Sequence, residues 1–360
     1  MNKTLQTFLE LVRINSVSGN EDLIGLFLET RLLALGLSTR WDKGGNLYAY
    51  LPGEGQTILL SAHMDTVPLA FDVEPLVEEG RVHTGGKTAL GADDKAAIAA
   101  ILTVLEEIHW ESLPHPNIVI LFSVREEMGL QGIAKLELDN LSGVDYGFVF
   151  DAEGPVGTFI TAAPGSIKLD ATFHGKGAHA GFSPESGISA IQMASDAISS
   201  MRLLRIDEKT TANVGSFLAP ESRNIVCDKA TLSLEARSLD HKSLLDQIGH
   251  MKQCLQEGAA KHGGELSIEE ELLYEAYALE TSGPPFAQLK MACEALGLTY
   301  RQRPTLGGSD ANVLNAKGIP TVVCTTGYEK PHTVHESIPI DQLDILTSLV
   351  KKLATREEEI

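Results

Sequence analysis

Four apolar segments of the chain each run directly into side chains that bind divalent cations. Residues 57–62 (TILLSA) are followed by His63-Met64-Asp65, and residues 118–125 (IVILFSVR) by Glu126-Glu127. Residues 146–150 (YGFVF) are followed by Asp151, and residues 320–327 (PTVVCTTG) lead into Pro331-His332-Thr333. A fifth piece, LGADDK, puts Asp93 and Asp94 just before an alanine-rich helix, whose first N–H groups favour anions. Alone, each fragment is an ordinary surface turn, helix cap or solvated pair. Together they are four strand ends in one chain, and open α/β sheets bind ligands at the carboxyl ends of their strands. Histidines and carboxylates without thiolates suit Zn²⁺, Co²⁺ or Mn²⁺. A carboxylate bridging two such ions holds them ~3.5–4 Å apart, where they polarise a carbonyl and lower the pKa of a shared water toward ~7. A further carboxylate must then move the proton, and Glu126-Glu127 offers one for each task.

The elements that would position these groups follow from hydrophobic patterning. Residues 3–14 and 20–35 predict helices, the second stopped by Gly36. Short continuous apolar runs at 57–61, 118–124, 146–150 and 320–325 predict buried strands of a sheet covered on both faces, and 94–109 predicts a helix. Residues 165–275 read differently: strand (166–174), helix (186–203), strand (211–217), strand (228–237), helix (241–262), strand (265–274). That β-α-β-β-α-β order is ferredoxin-like. The expected fold is therefore α/β, with a central, mostly parallel sheet in a discontinuous domain (1–164 and 277–360) and an inserted α+β domain (165–276). A chain of 360 residues accommodates two domains at ~100–200 residues each.

Composition narrows the partners. There are 49 acidic against 29 basic residues, a formal charge of −20, so the basic footprint of a nucleic-acid binder is absent. No apolar run reaches the ~18–20 residues of a membrane span. The N-terminal MNKTLQTFLELVRINSV carries an acid inside its apolar stretch and no small-residue cleavage site, so it reads as an amphipathic helix and not a signal peptide. The four cysteines (Cys227, Cys254, Cys293, Cys324) are scattered without a C-x-x-C. A disulfide framework is not expected, and a cytoplasmic location is.

The motifs SAHMDTVP (61–68), TALGADDKAAIAAIL (88–102), REEMGLQG (125–132), FDAEGP (150–155), HGKGAHAG (174–181), SRNIV (222–226), GGSDANV (307–313) and HTVHE (332–336) span almost the whole chain. Together they resemble the di-zinc aminoacyl-hydrolase clan of peptidase T and the aminoacylases, and LGADDKA with GGSDAN is most similar to its peptidase T-like branch. The resemblance implies two divalent ions, most naturally zinc, held by His63, Asp93, Glu127, Asp151 and His332. In that pattern Asp93 bridges, His63 and Asp151 serve one ion, and Glu127 and His332 the other. His332 is preferred to His335 because the family spacing is His, three residues, Glu, which here ends at Glu336. Asp65 orients the imidazole of His63, Glu126 is the general base and acid, and the Asp93–Asp94 peptide is cis. The inserted domain becomes a lid and dimerisation domain of a homodimer. His179 is an oxyanion donor to the partner subunit's site, and Asn224 and Arg237 contact substrate. The implied activity is hydrolysis of short peptides, most simply as a tripeptidase-like aminopeptidase. A carboxypeptidase, an N-acyl-amino-acid amidohydrolase and a catalytically silent metal- or peptide-binding protein are the alternatives. One departure concerns specificity: Leu218-Ala219-Pro220-Glu221 stands where many members carry Gly-Gly.

Overall fold

The chain, seen in a computed structural model, is described over residues 2–356. It divides into two compact units: Met1–Thr161 with Ala278–Pro304 and Ser309–Ile360, and Ala162–Tyr277 with Thr305–Gly308. The short return of residues 305–308 to the second unit was not anticipated from the sequence.

The first unit is built on a nine-stranded sheet. At its centre lie, side by side, Asn117–Ser123, Thr57–His63, Tyr146–Ala152 and Thr321–Thr325, all mutually parallel. Their apolar residues are buried almost throughout, because helices close over the sheet. The flanking strands, among them Leu47–Leu51 and Thr158–Ala163, run antiparallel to their inner neighbours. Register decides where the chemistry emerges. His63 pairs with Ser123, and Ala152 with Thr325, so the loops after all four strands leave the sheet at one edge.

The helix Ala92–Glu111 is buried over most of its length, and its run of alanines lets it contact two of the central strands and the helices Lys3–Val12 and Ile340–Ala354. Its first turn is irregular: Asp93 and Asp94 have non-helical backbone angles and the peptide between them is cis. A small three-stranded sheet joins Leu76–Glu78, Arg81–His83 and Ile338–Pro339.

The second unit is a five-stranded antiparallel sheet ordered Leu204–Arg205, Thr210–Leu218, Lys229–Ser238, Gly165–His174, Glu265–Tyr274. The helices Ala190–Ser200 and His241–His262 pack with it around Leu169, Phe173, Met193, Leu234 and Met251. A Cβ on Gly258 would meet the Met193 carbonyl oxygen at 2.6 Å, so glycine there permits the close approach of the two helices. The helix expected over 186–203 is shorter. Pro184–Ser186 forms a 3₁₀ turn, and Ser189 caps the true helix by accepting from Gln192 N–H at 3.3 Å. The start at Ala190 buries Ala190, Met193, Ala194 and Ala197 and leaves Ile191 41% exposed.

Candidate metal centre

His63 ends a buried strand, and its side chain is almost inaccessible. Its Nε2 lies 3.1 Å from Asp93 Oδ1 and 3.9 Å from Asp151 Oδ1. The other oxygen of Asp93, Oδ2, lies 3.2 Å from His332 Nε2, which is itself 2.8 Å from Glu127 Oε1. One carboxylate thus faces two histidines, each with a second acid beside it. His63, Asp93 and Glu127 offer ligand atoms within 4.8 Å of one another, as do His63, Glu126 and Asp151. The five residues expected to hold metal from the sequence, together with Glu126, are therefore gathered in one place.

The donor set fits divalent cations. Glu127 Oε1 is buried and accepts no well-formed hydrogen bond although the His332 nitrogen is close to it, so the two groups converge as common ligands would. Charge balance points the same way. Asp93 and Glu127 raise the His332 pKa to about 10 against its partial burial. Burial disfavours charge on His63, yet Asp65 and Asp93 hold its pKa well above the ordinary value. Burial likewise opposes ionisation of Asp93, and His332 and His63 overcome it, holding the carboxyl well below the usual range. A cation bound among these carboxylates would compete with protons for the two imidazole nitrogens.

Glu126 sits in the same array without being needed as the second acid of either histidine. Burial, then the charge of Asp151, push its carboxyl well above the usual carboxylate range. That direction is the one in which a carboxylate takes up a proton more readily.

Asp65 does more than the sequence suggested. His63 Nδ1 is 3.0 Å from the Asp65 backbone carbonyl and 3.4 Å from its carboxylate, so the carbonyl is the nearer partner of the imidazole. The carboxylate accepts from Glu126 N–H at 3.0 Å, Glu127 N–H at 3.3 Å and the Ser18 hydroxyl at 2.6 Å. It therefore holds the backbone from which both glutamates project.

Other supports had no local signature in the sequence. Glu21 accepts from Arg125 N–H at 3.1 Å, where Arg125 adopts a left-handed φ of +53°. Asn46 is fully buried and clamps both ends of the same loop: its Oδ1 accepts from Val124 N–H at 3.2 Å and its Nδ2 donates to Gly132 O at 3.0 Å. Tyr328 donates its hydroxyl to Asp151 Oδ1 at 3.3 Å. For Asn46 the sequence shows only its place after Gly44-Gly45, a turn signal that does not say what the side chain would hold.

The second unit carries the remaining candidates. His179 Nδ1 accepts from Gly181 N–H at 3.1 Å and Phe182 N–H at 3.2 Å. With Nδ1 accepting, the neutral ring keeps its proton on Nε2 and donates from there. The residue 178–180 segment pairs with residues 224–226 through the His179–Ile225 bridge, which brings Asn224 close to His179 in the backbone. Arg237 lies on Lys229–Ser238 opposite Ser166 and Thr211, and donates to Glu235 at 3.1 Å.

Comparison with known proteins identifies the family. The sequence profile of peptidase family M20/M25/M40 matches residues 59–356. A Bacillus subtilis protein, described as uncharacterized protein YqjE, is 40% identical over 351 residues, covering 95% of this chain and 94% of that one. The crystal structure of a tripeptidase from Staphylococcus aureus superposes with a TM-score of 0.90 at 37% identity, over 98% of this chain and 97% of the other. That of aminopeptidase PepT from Bacillus cereus gives 0.83 at 35% identity, with the same coverage. On its motifs, fold and relatives, the chain belongs to peptidase family M20/M25/M40 and is a hydrolase.

Proposed function

We propose that this chain is a di-metal aminopeptidase that removes the N-terminal residue from short peptides, tripeptides foremost. The observation that carries the reading is the division of Asp93 between His63 and His332, with Glu126 to spare in the same cluster. The tripeptidase and aminopeptidase among its relatives support the substrate class. His63, Asp151 and Asp93 would hold one cation, and Asp93, Glu127 and His332 the other. The nitrogen and oxygen donors suit zinc, with cobalt or manganese chemically compatible. A bound pair of such ions polarises the scissile carbonyl and makes water acidic enough to be activated near neutral pH. Glu126 takes the proton of the attacking water on its carboxylate and delivers it to the nitrogen of the leaving amine.

The second unit acts in this proposal as a lid and as the contact of a homodimer. Nε2–H of His179 donates to the carbonyl oxygen as charge develops there, supplied by the partner subunit. Its tautomer supports the role. Asn224 and Arg237 contact the peptide, Arg237 with a fork suited to a carboxylate. Acidic composition and scattered cysteines support a cytoplasmic location without a nucleic-acid or membrane partner. Among the described residues, no helix is long and apolar enough to cross a membrane.

The test is hydrolysis of a tripeptide, its N-acetylated form, a dipeptide and an acetylated amino acid, with zinc or cobalt added. Release of the N-terminal residue from the free tripeptide, with its acetylated form resistant, is expected. Release of the C-terminal residue, or deacylation of the amino acid alone, would replace the aminopeptidase assignment. No hydrolysis of any of the four by the metal-loaded protein would remove short peptides from its substrates and overturn the assignment.

A further inference from the structure

Glu336 is 1% exposed, and its carboxylate is spent on backbone. Oε2 accepts from Leu90 N–H at 2.8 Å and Gly91 N–H at 3.0 Å, and Oε1 accepts from Asp93 N–H at 3.1 Å. The donors lie as far as 246 residues away in sequence, on the segment that delivers the carboxylate shared between the two histidines. Glu336 itself lies four residues after His332.

The loop bearing His332 is closed at its base. Glu329 and Ser337 exchange backbone hydrogen bonds at 2.9 and 3.1 Å, and Glu336 N–H donates to Thr333 O at 3.1 Å. Just beyond, Ile338 pairs with Val82, on the strand that leads toward Leu90. His332 holds a left-handed φ of +61°, a conformation that its surroundings must impose. A carboxylate that receives three N–H groups is a stiff link, because each donor would be left unsatisfied in a buried place if the carboxylate moved.

We propose that Glu336 is a positioning residue of the metal centre: it fixes the Leu90–Asp93 segment to the His332 loop, so that Asp93 and His332 keep their separation before any cation arrives. The inference rests on the di-metal reading above. A purely structural alternative is that Glu336 only steadies the N-terminal turn of the Ala92–Glu111 helix. That alternative predicts a lower melting temperature and unchanged cation affinity.

The experiment compares wild type, Glu336→Gln and His335→Gln, all metal-free, by zinc titration against a chromophoric chelator and by thermal melting. Gln keeps the shape of Glu, but its NH₂ must face either Asp93 N–H or the Leu90 and Gly91 pair. Glu336→Gln is expected to lower affinity for both zinc ions by about 10–100-fold, as loss of a ligand-orienting partner does. His335 is exposed and belongs to the same loop, so His335→Gln should leave both affinities unchanged. A folded Glu336→Gln protein with wild-type affinities overturns the proposal, whatever its melting temperature. Should that variant fail to fold, hydrogen exchange of the metal-free wild type decides. Slow exchange at Leu90, Gly91 and Asp93 supports the link, and exchange at unprotected rates overturns it. Wild type taking up fewer than two zinc ions would instead overturn the di-metal reading on which the link rests.

Discussion

His63 and His332 face opposite oxygens of the Asp93 carboxylate, yet the chain holds them in different ways. His63 ends a central strand paired on both sides, and its side chain is 1% exposed. His332 rides a loop, and its side chain is 51% exposed. The acids beside them differ less: Asp151 closes a neighbouring strand, whereas Glu127 stands on a loop held by Asp65, Glu21 and Asn46. One side of the candidate centre is therefore set by sheet register and the other by side chains that grip loops. A cation held from the sheet side would meet ligands that are already fixed. On the loop side, solvent reaches the imidazole, and side-chain hydrogen bonds to backbone, in place of sheet register, hold the ligands.

The largest effect should come from a group that serves neither histidine. Glu126→Gln is expected to lower turnover by about 10²–10⁴-fold while both cations remain bound. Steady-state peptide hydrolysis beside metal analysis checks this, and a variant near wild-type rate would remove Glu126 from the mechanism.

Next in size is the contrast between the two sides. Asp93→Asn should impair both positions, because the shared carboxylate is lost. His332→Ala should leave one tightly held cation, and His63→Ala should disturb the buried position. A stepwise chelator titration of wild type should accordingly strip one cation well before the other, and the early step should be absent in His332→Ala. Two cations leaving together would break the comparison.

A smaller effect is expected from Tyr328→Phe, which removes only the 3.3 Å hydrogen bond to Asp151. It should weaken the buried position by about tenfold or less and leave the His332 side unchanged. Zinc titration of the variant measures both steps.

The sheet side was also the more legible one. Strands buried on both faces are continuous apolar runs, so TILLSA, IVILF and YGFVF announce both themselves and the polar residues at their ends. The loop side was legible as a motif but not as a structure. The grip of Asn46 on Val124 spans 78 residues, and that of Glu336 on Asp93 spans 243, so neither has a local period to reveal it. The sequence pointed to Asp65 as the partner of His63, while most of its carboxylate serves the Glu126 and Glu127 amides. The strand Ser38–Trp41 has no apolar run to reveal it, since only one of its four side chains, Trp41, is apolar. The start of the 190–200 helix was set by a Ser189 cap competing with an apolar pattern that begins earlier.

The central claim is that Asp93 is shared by two cations, and metal content of the pure protein tests it most directly. After removal of all metal and reloading with excess zinc, followed by removal of unbound ions, elemental analysis should approach two zinc per chain. A plateau at one under saturating metal would contradict the claim, because His63 and His332 would then be competing for a single ion and not dividing a pair.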